Sequence, residues 1–131
     1  MRFGGRWNSP GVPMVYSSTS LALAAIELFV HLEPAQAPGD LVYLSASLPE
    51  GEPAQQMEPG QLPAAWWTDN FAPLRQLGDG WAAAKSSLAL AVPSAALRME
   101  WNVLLNPLHP DAGKIEIADP QPFEFDARMF R

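Results

Sequence analysis

A glycine-rich loop near the start of the sequence has the residue types of a binding loop. The segment GGRWNSPG, residues 4–11, combines three glycines with a proline, an arginine, a tryptophan and an asparagine. Glycine allows positive φ and close backbone approach, and proline fixes φ, so the segment predicts a shaped loop. The guanidinium of Arg6 can hold a phosphate through two parallel hydrogen bonds. The simpler alternative is a surface arginine paired with one of the fourteen acidic residues.

A carboxylate interrupts an apolar run of the sequence. Residues 21–32 are rich in Ala and Leu and include Glu27 and His31. An unpaired buried carboxylate costs on the order of several kcal/mol, so Glu27 must face a cleft, pair or be neutral. A carboxylate in a cleft can stabilise developing positive charge. The alternative is a pair with His31, four residues later on the same helix face.

Tyr16 and Ser94 are further candidates. The ring of Tyr16 can stack on a planar ligand and its hydroxyl can form hydrogen bonds, or the residue is an ordinary half-buried tyrosine. Ser94 follows Pro93 after an apolar run and can bond a ligand hydroxyl, a phosphate or Glu27, or serve as a cap. A nucleophilic serine needs a neighbouring base, which the sequence does not offer.

Two histidines and scattered acids do not specify a metal site, so we expect none. His109 and Asp111 lie in LHPD, which instead predicts a turn fixed by Pro107 and Pro110. For Trp7 and Trp81 we expect roles in packing.

The composition describes a single globular domain, residues 1–131, with 48% hydrophobic and 17% charged residues. The net charge of −6 makes direct nucleic-acid binding a poor fit. The chain has no cysteine, which excludes disulfides and thiolate zinc sites. With no visible secretory signal and no apolar stretch long enough to span a bilayer, we expect a cytoplasmic protein.

The pattern of apolar residues and prolines predicts an α+β fold with a mixed or antiparallel sheet and few helices. A helix capped by Ser18 or Ser20 is expected over residues 21–32, largely buried because it is apolar on most sides. Residues 51–60 read as a loop, and residues 61–87 as short helical turns broken at Pro63, Pro73 and 78–80. Strands are predicted at 12–16, 39–49, 88–94, 101–107 and 114–120, with a last strand or turn in FEFDARMF.

Four segments together resemble the RES domain, the toxin half of a bacterial toxin–antitoxin pair. They are GGRWNSPGVPMVYSSTSLALAAIELFVHL, LGDGWAAAKSSLALAVPSA, WNVLLNPLHPD and FEFDAR, and they cover nearly the whole chain in the family's order. The Arg, Glu and Ser from which the family takes its name match Arg6, Glu27 and Ser94. The resemblance implies a fold related to mono-ADP-ribosyltransferases, with small sheets flanked by helices around an NAD cleft.

The resemblance also implies a reaction and a partner. NAD would be the substrate, and the nicotinamide–ribose bond would break by hydrolysis or phosphorolysis, through a transition state resembling an oxocarbenium ion. Arg6 would anchor the diphosphate, Tyr16 would orient the nicotinamide, Glu27 would stabilise the ribosyl cation and Ser94 would help to position it. Asn8 and His31 are expected to contact NAD as well.

A helix-turn-helix antitoxin would block the cleft, and we expect a homodimer without a metal. Two alternatives remain open: transfer of ADP-ribose to a protein, and a catalytically weak module that binds the antitoxin. Family members usually carry a strand ahead of the glycine-rich loop, where this sequence has only three residues. Either the start of the sequence was assigned late, or the sheet lacks that edge strand.

Overall fold

The computed structural model describes residues 4–33, 38–52 and 54–130. Its strands are β1 (Val15–Ser18), β2 (Val42–Tyr43), β3 (Ala46–Ser47), β4 (Ala54–Gln56), β5 (Ala89–Pro93), β6 (Trp101–Leu105), β7 (Glu116–Ile117) and β8 (Gln121–Pro122). The central sheet has the order β1-β6-β5-β4, in which only β4 and β5 are parallel. Two small antiparallel sheets, β2–β8 and β3–β7, complete the described strands. The expected α+β class is confirmed, while the relation to ADP-ribosyltransferases stays a prediction.

Two α-helices flank the sheet. Helix α1 (Leu21–Phe29) begins where the Ser20 hydroxyl accepts a hydrogen bond from the Leu23 N–H at 3.1 Å, as one of the two predicted caps requires. Helix α2 (Ala72–Ala84) has a proline in its first turn and ends at Lys85 in the left-handed conformation. Short 3-10 helices lie at Pro59–Gln61, Ala112–Lys114 and Ala127–Phe130.

The expectation that the first helix is largely buried is wrong. Of the residues in α1, only Leu23 is buried, and Leu21 and Leu28 remain 43% and 38% exposed. One face of the helix packs towards β1, and its outer face has no covering element in the described residues. An apolar composition therefore did not translate into burial.

The expected helix break at residues 78–80 is also wrong, because α2 runs through both glycines. A Cβ on Gly78 would lie 1.7 Å from the main-chain oxygen of Trp7, whereas a Cβ on Gly80 would meet nothing within 4 Å. Gly78 thus permits the glycine-rich loop to lie directly on the helix backbone.

Among the strands, β5 and β6 confirm the predictions for 88–94 and 101–107, apart from their ends. The first strand begins at Val15 rather than Val12 and extends to Ser18. The single strand expected at 39–49 is instead β2 and β3, in different sheets, and only β7 forms within 114–120. The expected loop at 51–60 contains β4. The last segment ends in a 3-10 turn rather than a strand.

The main core packs one face of the central sheet against α2 and the glycine-rich loop. Its buried members are Trp7, Met14, Met57, Leu74, Trp81, Ala82, Leu90, Val92 and Leu104. Trp7 and Trp81 are 2% and 8% exposed, which confirms their expected packing role. Because Trp7 belongs to this core, the loop around it is fixed to the body of the domain.

Residues 1–3, which precede the glycine-rich loop, lie outside the described residues, so the expectation about the edge strand stays a prediction. The helices of the described ranges fall short of the length and apolar character of a bilayer-spanning segment.

Candidate active site

A cavity of about 650 Å³ opens between the glycine-rich loop, the end of α1 and the ends of β5 and β6. This volume falls within the usual range for small-molecule sites. Its lining residues are Gly4, Gly5, Arg6, Trp7, Tyr16, Glu27, Val30, His31, Trp67, Phe71, Val92, Pro93, Ala95, Ala96 and Asn102. The structure therefore brings four of the six predicted site residues, Arg6, Tyr16, Glu27 and His31, to one cavity.

Glu27 accepts two hydrogen bonds on the same carboxylate oxygen. Ser94 Oγ donates to Glu27 Oε1 at 2.5 Å, and Asn102 Nδ2 donates to it at 2.8 Å. Helix α1 carries the carboxylate, and the strand ends of β5 and β6 supply the two donors. Because both donors bond the same oxygen, the carboxylate group is held in one orientation at the cavity wall.

The alternative pair between the Glu27 carboxylate and His31 is wrong. His31 Nδ1 lies 2.8 Å from the main-chain oxygen of Glu27 instead. Because a carbonyl oxygen only accepts, Nδ1 must carry the proton, and a neutral ring then has its lone pair on Nε2. His31 is exposed and lines the cavity, so this ring can present an acceptor to a ligand.

Arg6 lines the same cavity and is held there by the segment around Thr68. Its Nη1 donates to the main-chain oxygen of Thr68 at 2.8 Å, and its guanidinium lies 4.5 Å from the centre of the Phe71 ring. Burial lowers the pKa of Arg6, and the charges of Asp69 and Glu27 oppose that effect. The Arg6 and Glu27 charges thus interact, yet no direct ion pair joins them among the described residues.

The hydroxyl of Tyr16 forms its hydrogen bonds within the protein. It donates to Asn8 Oδ1 at 2.5 Å and accepts from the Trp7 N–H at 2.9 Å. Burial raises the pKa of the Tyr16 phenol, with smaller opposing effects from these partners. Tyr16 lines the cavity and is 40% exposed, so the face of its ring, rather than its hydroxyl, is available to a ligand.

The glycine-rich loop is held in shape by several hydrogen bonds. Arg75 Nε of α2 donates to the Gly5 main-chain oxygen at 2.7 Å, and Asp79 accepts from both the N–H and the hydroxyl of Ser9. A Cβ on Gly5 would lie 2.5 Å from the Tyr16 hydroxyl oxygen, so only glycine permits this approach. The loop is therefore preorganised before any ligand binds.

Two predicted site residues lie behind the cavity wall. Asn8 is fully buried, accepts from Tyr16 and donates to the Val12 main-chain oxygen at 2.7 Å. Its polar atoms are thus used inside the protein, where they brace the loop, and its expected contact with NAD stays a prediction. Ser94 is also fully buried, and of its three predicted partners the structure shows Glu27.

Sequence reasoning missed Asn102, Trp67 and Phe71. Asn102 had a detectable signal, because it is a polar residue within the apolar strand WNVLL, just as Glu27 interrupts an apolar helix. Trp67 and Phe71 had no local signal, since their segment meets Arg6 across about sixty positions of sequence. Arg98 stacks on Trp67, with 4.2 Å between its guanidinium and the ring centre.

A second group of polar side chains, Glu52, His109 and Asp111, lies outside the cavity lining. His109 Nδ1 accepts from the Asp111 N–H at 3.0 Å, so the neutral ring carries its proton on Nε2, facing Glu52 Oε1 at 3.8 Å. Lys114 Nζ also lies 3.1 Å from Asp111 Oδ1. The predicted turn is present at residues 107–111, and the expected absence of a metal stays a prediction.

Known proteins similar to this chain are named as toxins. A protein of Sphingobium sp. (strain YBL2) named "Prs ADP-ribosylating toxin" is 35% identical over 98% of this chain and 81% of its own length. A "Toxin Res" of Pseudomonas putida (strain KT2440) is 37% identical over 99% of this chain and 88% of its own length. A "Toxin Res" of Photorhabdus laumondii is 33% identical over 98% and 83% of the two chains.

The model of one protein family, the RES domain, matches residues 1–126. That match includes the glycine-rich loop, both α-helices, the whole central sheet and every residue of the cavity wall. On this evidence the chain is a member of the RES domain family.

Proposed function

We propose that this RES domain is a toxin that binds NAD in the cavity and breaks the nicotinamide–ribose bond. One observation supports this most strongly: the Glu27 carboxylate and the Arg6 guanidinium lie at one cavity without a direct ion pair. A dinucleotide has an anionic diphosphate for the cation and a ribose that becomes cationic beside the carboxylate. The two charges thus match two different parts of one substrate.

Each residue has a separate task in this proposal. Arg6 binds the diphosphate, and the ring of Tyr16 packs against the nicotinamide side. Glu27 stabilises the ribosyl cation as nicotinamide leaves, and the buried Ser94 holds Glu27 in place through its hydrogen bond to Oε1. The leaving group is already cationic in NAD, so it needs little acid assistance. Water or phosphate then attacks the ribosyl carbon.

A second candidate function is transfer of ADP-ribose to a protein side chain. The name of the Sphingobium relative, "Prs ADP-ribosylating toxin", favours it. Both reactions pass through the same cation and differ only in the acceptor. The cognate partner under either reaction is a helix-turn-helix antitoxin that covers the cavity, and a homodimer remains our expectation.

The test is product analysis with purified protein and NAD. We expect nicotinamide together with ADP-ribose in the absence of phosphate, and a phosphorylated ADP-ribose if phosphate is the acceptor. A third reaction with labelled NAD and bacterial extract detects transfer, which would place label on a protein. Intact NAD in all three reactions would overturn the proposal and favour a module that only binds the antitoxin.

A further inference from the structure

A line of polar side chains crosses the edge of the central sheet and ends at Glu27. Ser18 and Asn102 are direct partners in the antiparallel register of β1 and β6. Ser18 Oγ donates to Asn102 Oδ1 at 2.7 Å, and Asn102 Nδ2 donates to Glu27 Oε1 at 2.8 Å. Asn102 is therefore the link between a strand pair and the carboxylate.

The bonds to Glu27 and Ser18 together fix the amide of Asn102. An amide oxygen only accepts and an amide nitrogen only donates, whereas a hydroxyl can do either. The carboxylate needs a donor, so Nδ2 faces Glu27 and Oδ1 faces Ser18, whose hydroxyl donates to it. Rotating the amide by half a turn would oppose two oxygens at Glu27 and lose that hydrogen bond. The Ser18 bond holds the plane of the amide in place.

The second donor to Glu27 is fixed in the same manner. The Leu97 N–H donates to Ser94 Oγ at 3.0 Å, which leaves the Ser94 hydroxyl proton for Glu27. Both donors meet at Oε1, and within the described residues Oε2 has no hydrogen-bond partner. In that same part of the chain, no buried side-chain polar atom lacks a partner, so Oε2 must be accessible.

We propose that Asn102, oriented by Ser18, is a positioning residue that turns the second carboxylate oxygen of Glu27 towards the substrate ribose. This inference rests on the proposed function for the identity of the substrate. Asn102 acts through Glu27, although it also forms part of the cavity wall.

The neighbouring charges show why the carboxylate needs this restraint. Arg6 on the loop and His31 after α1 line the same cavity, as does the phenol of Tyr16 on β1. The Glu27 charge already acts on the Arg6 guanidinium. Without the Asn102 donor, Ser94 alone holds Oε1 among the described residues, and the carboxylate can turn about that bond towards Arg6 and form an ion pair. That ion pair would occupy both charges the substrate requires.

Asn102→Ala tests the positioning directly. We expect kcat for NAD consumption to fall about 10- to 100-fold, the range that misplacement of a reacting group produces. The dissociation constant for NAD should change less than about threefold, because Arg6 and the aromatic side chains are retained. A loss confined to NAD binding, or turnover equal to that of the parent, would overturn the inference.

Asn102→Asp adds a dependence on pH that a purely structural role would not produce. Above neutral pH the new carboxylate would repel the Glu27 carboxylate and could not donate a hydrogen bond to it. Activity relative to the parent should therefore be lowest in this range. As pH falls the new carboxyl group takes up a proton and can donate it to Glu27 Oε1, so relative activity should recover. A ratio of variant to parent activity that stays constant with pH contradicts the proposed donor role.

The serine pair on β1 supplies a matched control. Ser18→Ala removes the group that orients Asn102, and we expect a several-fold fall in kcat. Ser17→Ala also removes a hydroxyl bonded to β6, at the Val103 main-chain oxygen at 2.8 Å, but that bond does not reach Glu27. Turnover of Ser17→Ala should match the parent. Equal losses in both variants would assign the effect to the strand pair alone and overturn the inference.

A crystal structure of Asn102→Ala gives a result that does not depend on turnover. We expect the Glu27 carboxylate to have rotated from its position in the parent crystal, and an unchanged carboxylate would overturn the inference. If the parent protein leaves NAD intact, the proposed function fails by itself, and the crystal structure still decides the positioning.

Discussion

At the scale of single residues, the charge of Glu27 can be separated from its shape. In Glu27→Gln the amide oxygen can still accept from Ser94 and Asn102, so the local geometry is retained while the charge is lost. We expect NAD turnover to fall about 100-fold or more, or about 2.7 kcal/mol, as for removal of one transition-state stabiliser. NAD binding should change little because the ground-state ribose is neutral.

Steady-state NAD consumption measures the turnover, and thermal melts with and without NAD on the same samples measure the binding. Glu33→Gln is the matched control, since Glu33 is exposed and does not line the cavity. Near-parental turnover in Glu27→Gln would remove Glu27 from the mechanism.

Arg6→Lys keeps the positive charge but changes its geometry. An ammonium group cannot form two parallel bonds to a diphosphate or lie flat on the Phe71 ring. We expect NAD affinity to fall about tenfold or more, equivalent to about 1.4 kcal/mol. Isothermal titration calorimetry with NAD measures this, and Arg128→Lys, at an exposed position, is the control. Binding as tight as that of the parent would refute the diphosphate role.

Tyr16 should make the fold sensitive to alkaline pH. Because burial raises the pKa of this phenol above its ordinary 10.0, the unfolded chain loses the proton first. The stabilisation is complete below about pH 10 and is lost as pH rises through the folded-state pKa. Urea unfolding of the parent, measured from about pH 8 to about pH 11, should show this decline.

Tyr16→Phe should remove that component of the decline. It should also lower stability at neutral pH by about 1–3 kcal/mol, because Asn8 and the Trp7 N–H lose their partner. Tyr43→Phe is the control and should retain the parental decline. The same alkaline slope in all three proteins would contradict the role given to burial of Tyr16.

At the scale of elements, two glycines of α2 should respond in opposite directions to the same substitution. Gly78→Ala places a methyl group against the Trp7 main-chain oxygen and should destabilise the fold by about 1–3 kcal/mol or more. Gly80→Ala meets open space and should stabilise the helix by about 0.5–1 kcal/mol. Urea unfolding of both variants measures the difference, and equal effects would contradict the close contact between loop and helix.

The sequence could predict elements with a clear local pattern. Strand β5 is a largely buried apolar run, β6 is apolar except for Asn102, and the start of α1 has a serine cap. The two-residue strands are too short for any periodicity to register. All residues of β4 are exposed, so this edge strand has the polar composition of a loop. The sequence predicted a helix break at Gly78, because the backbone that requires a glycine there, at Trp7, lies about seventy positions earlier in the sequence.

The candidate site was predictable where a polar or charged residue interrupts an apolar segment. Glu27 within an apolar helix required a cleft or a partner, and the structure supplies both. For Arg6 the family resemblance favoured the phosphate-binding role. Its residue type alone did not, because most arginines are exposed on the surface. The internal hydrogen bonds of Asn8 could not be predicted, because a loop asparagine can face a ligand or brace the loop from inside, and tertiary contacts determine which bonds it forms.

At the scale of the whole molecule, the charge balance predicts no affinity for DNA. Eight basic residues stand against fourteen acidic ones, and binding to the duplex requires neutralised phosphates. We expect no mobility shift of duplex DNA by the isolated chain at about 150 mM salt, where screening is already substantial. A complex with the antitoxin should shift its operator duplex. Retention of DNA by the isolated chain would contradict this expectation.

The order of strands in the central sheet has a consequence for biosynthesis. A chain leaves the ribosome from its N-terminus, and β1 emerges early, but its sheet neighbour is β6, with Val15 paired to Leu105. Arg6, Tyr16 and Glu27 therefore remain unassembled until β6 has been translated, because the strand that carries Asn102 closes the wall behind them. Under the proposed function, the nascent chain cannot consume NAD before that point. Translation of the segment between β1 and β6 then gives the cell an interval in which to produce the proposed antitoxin.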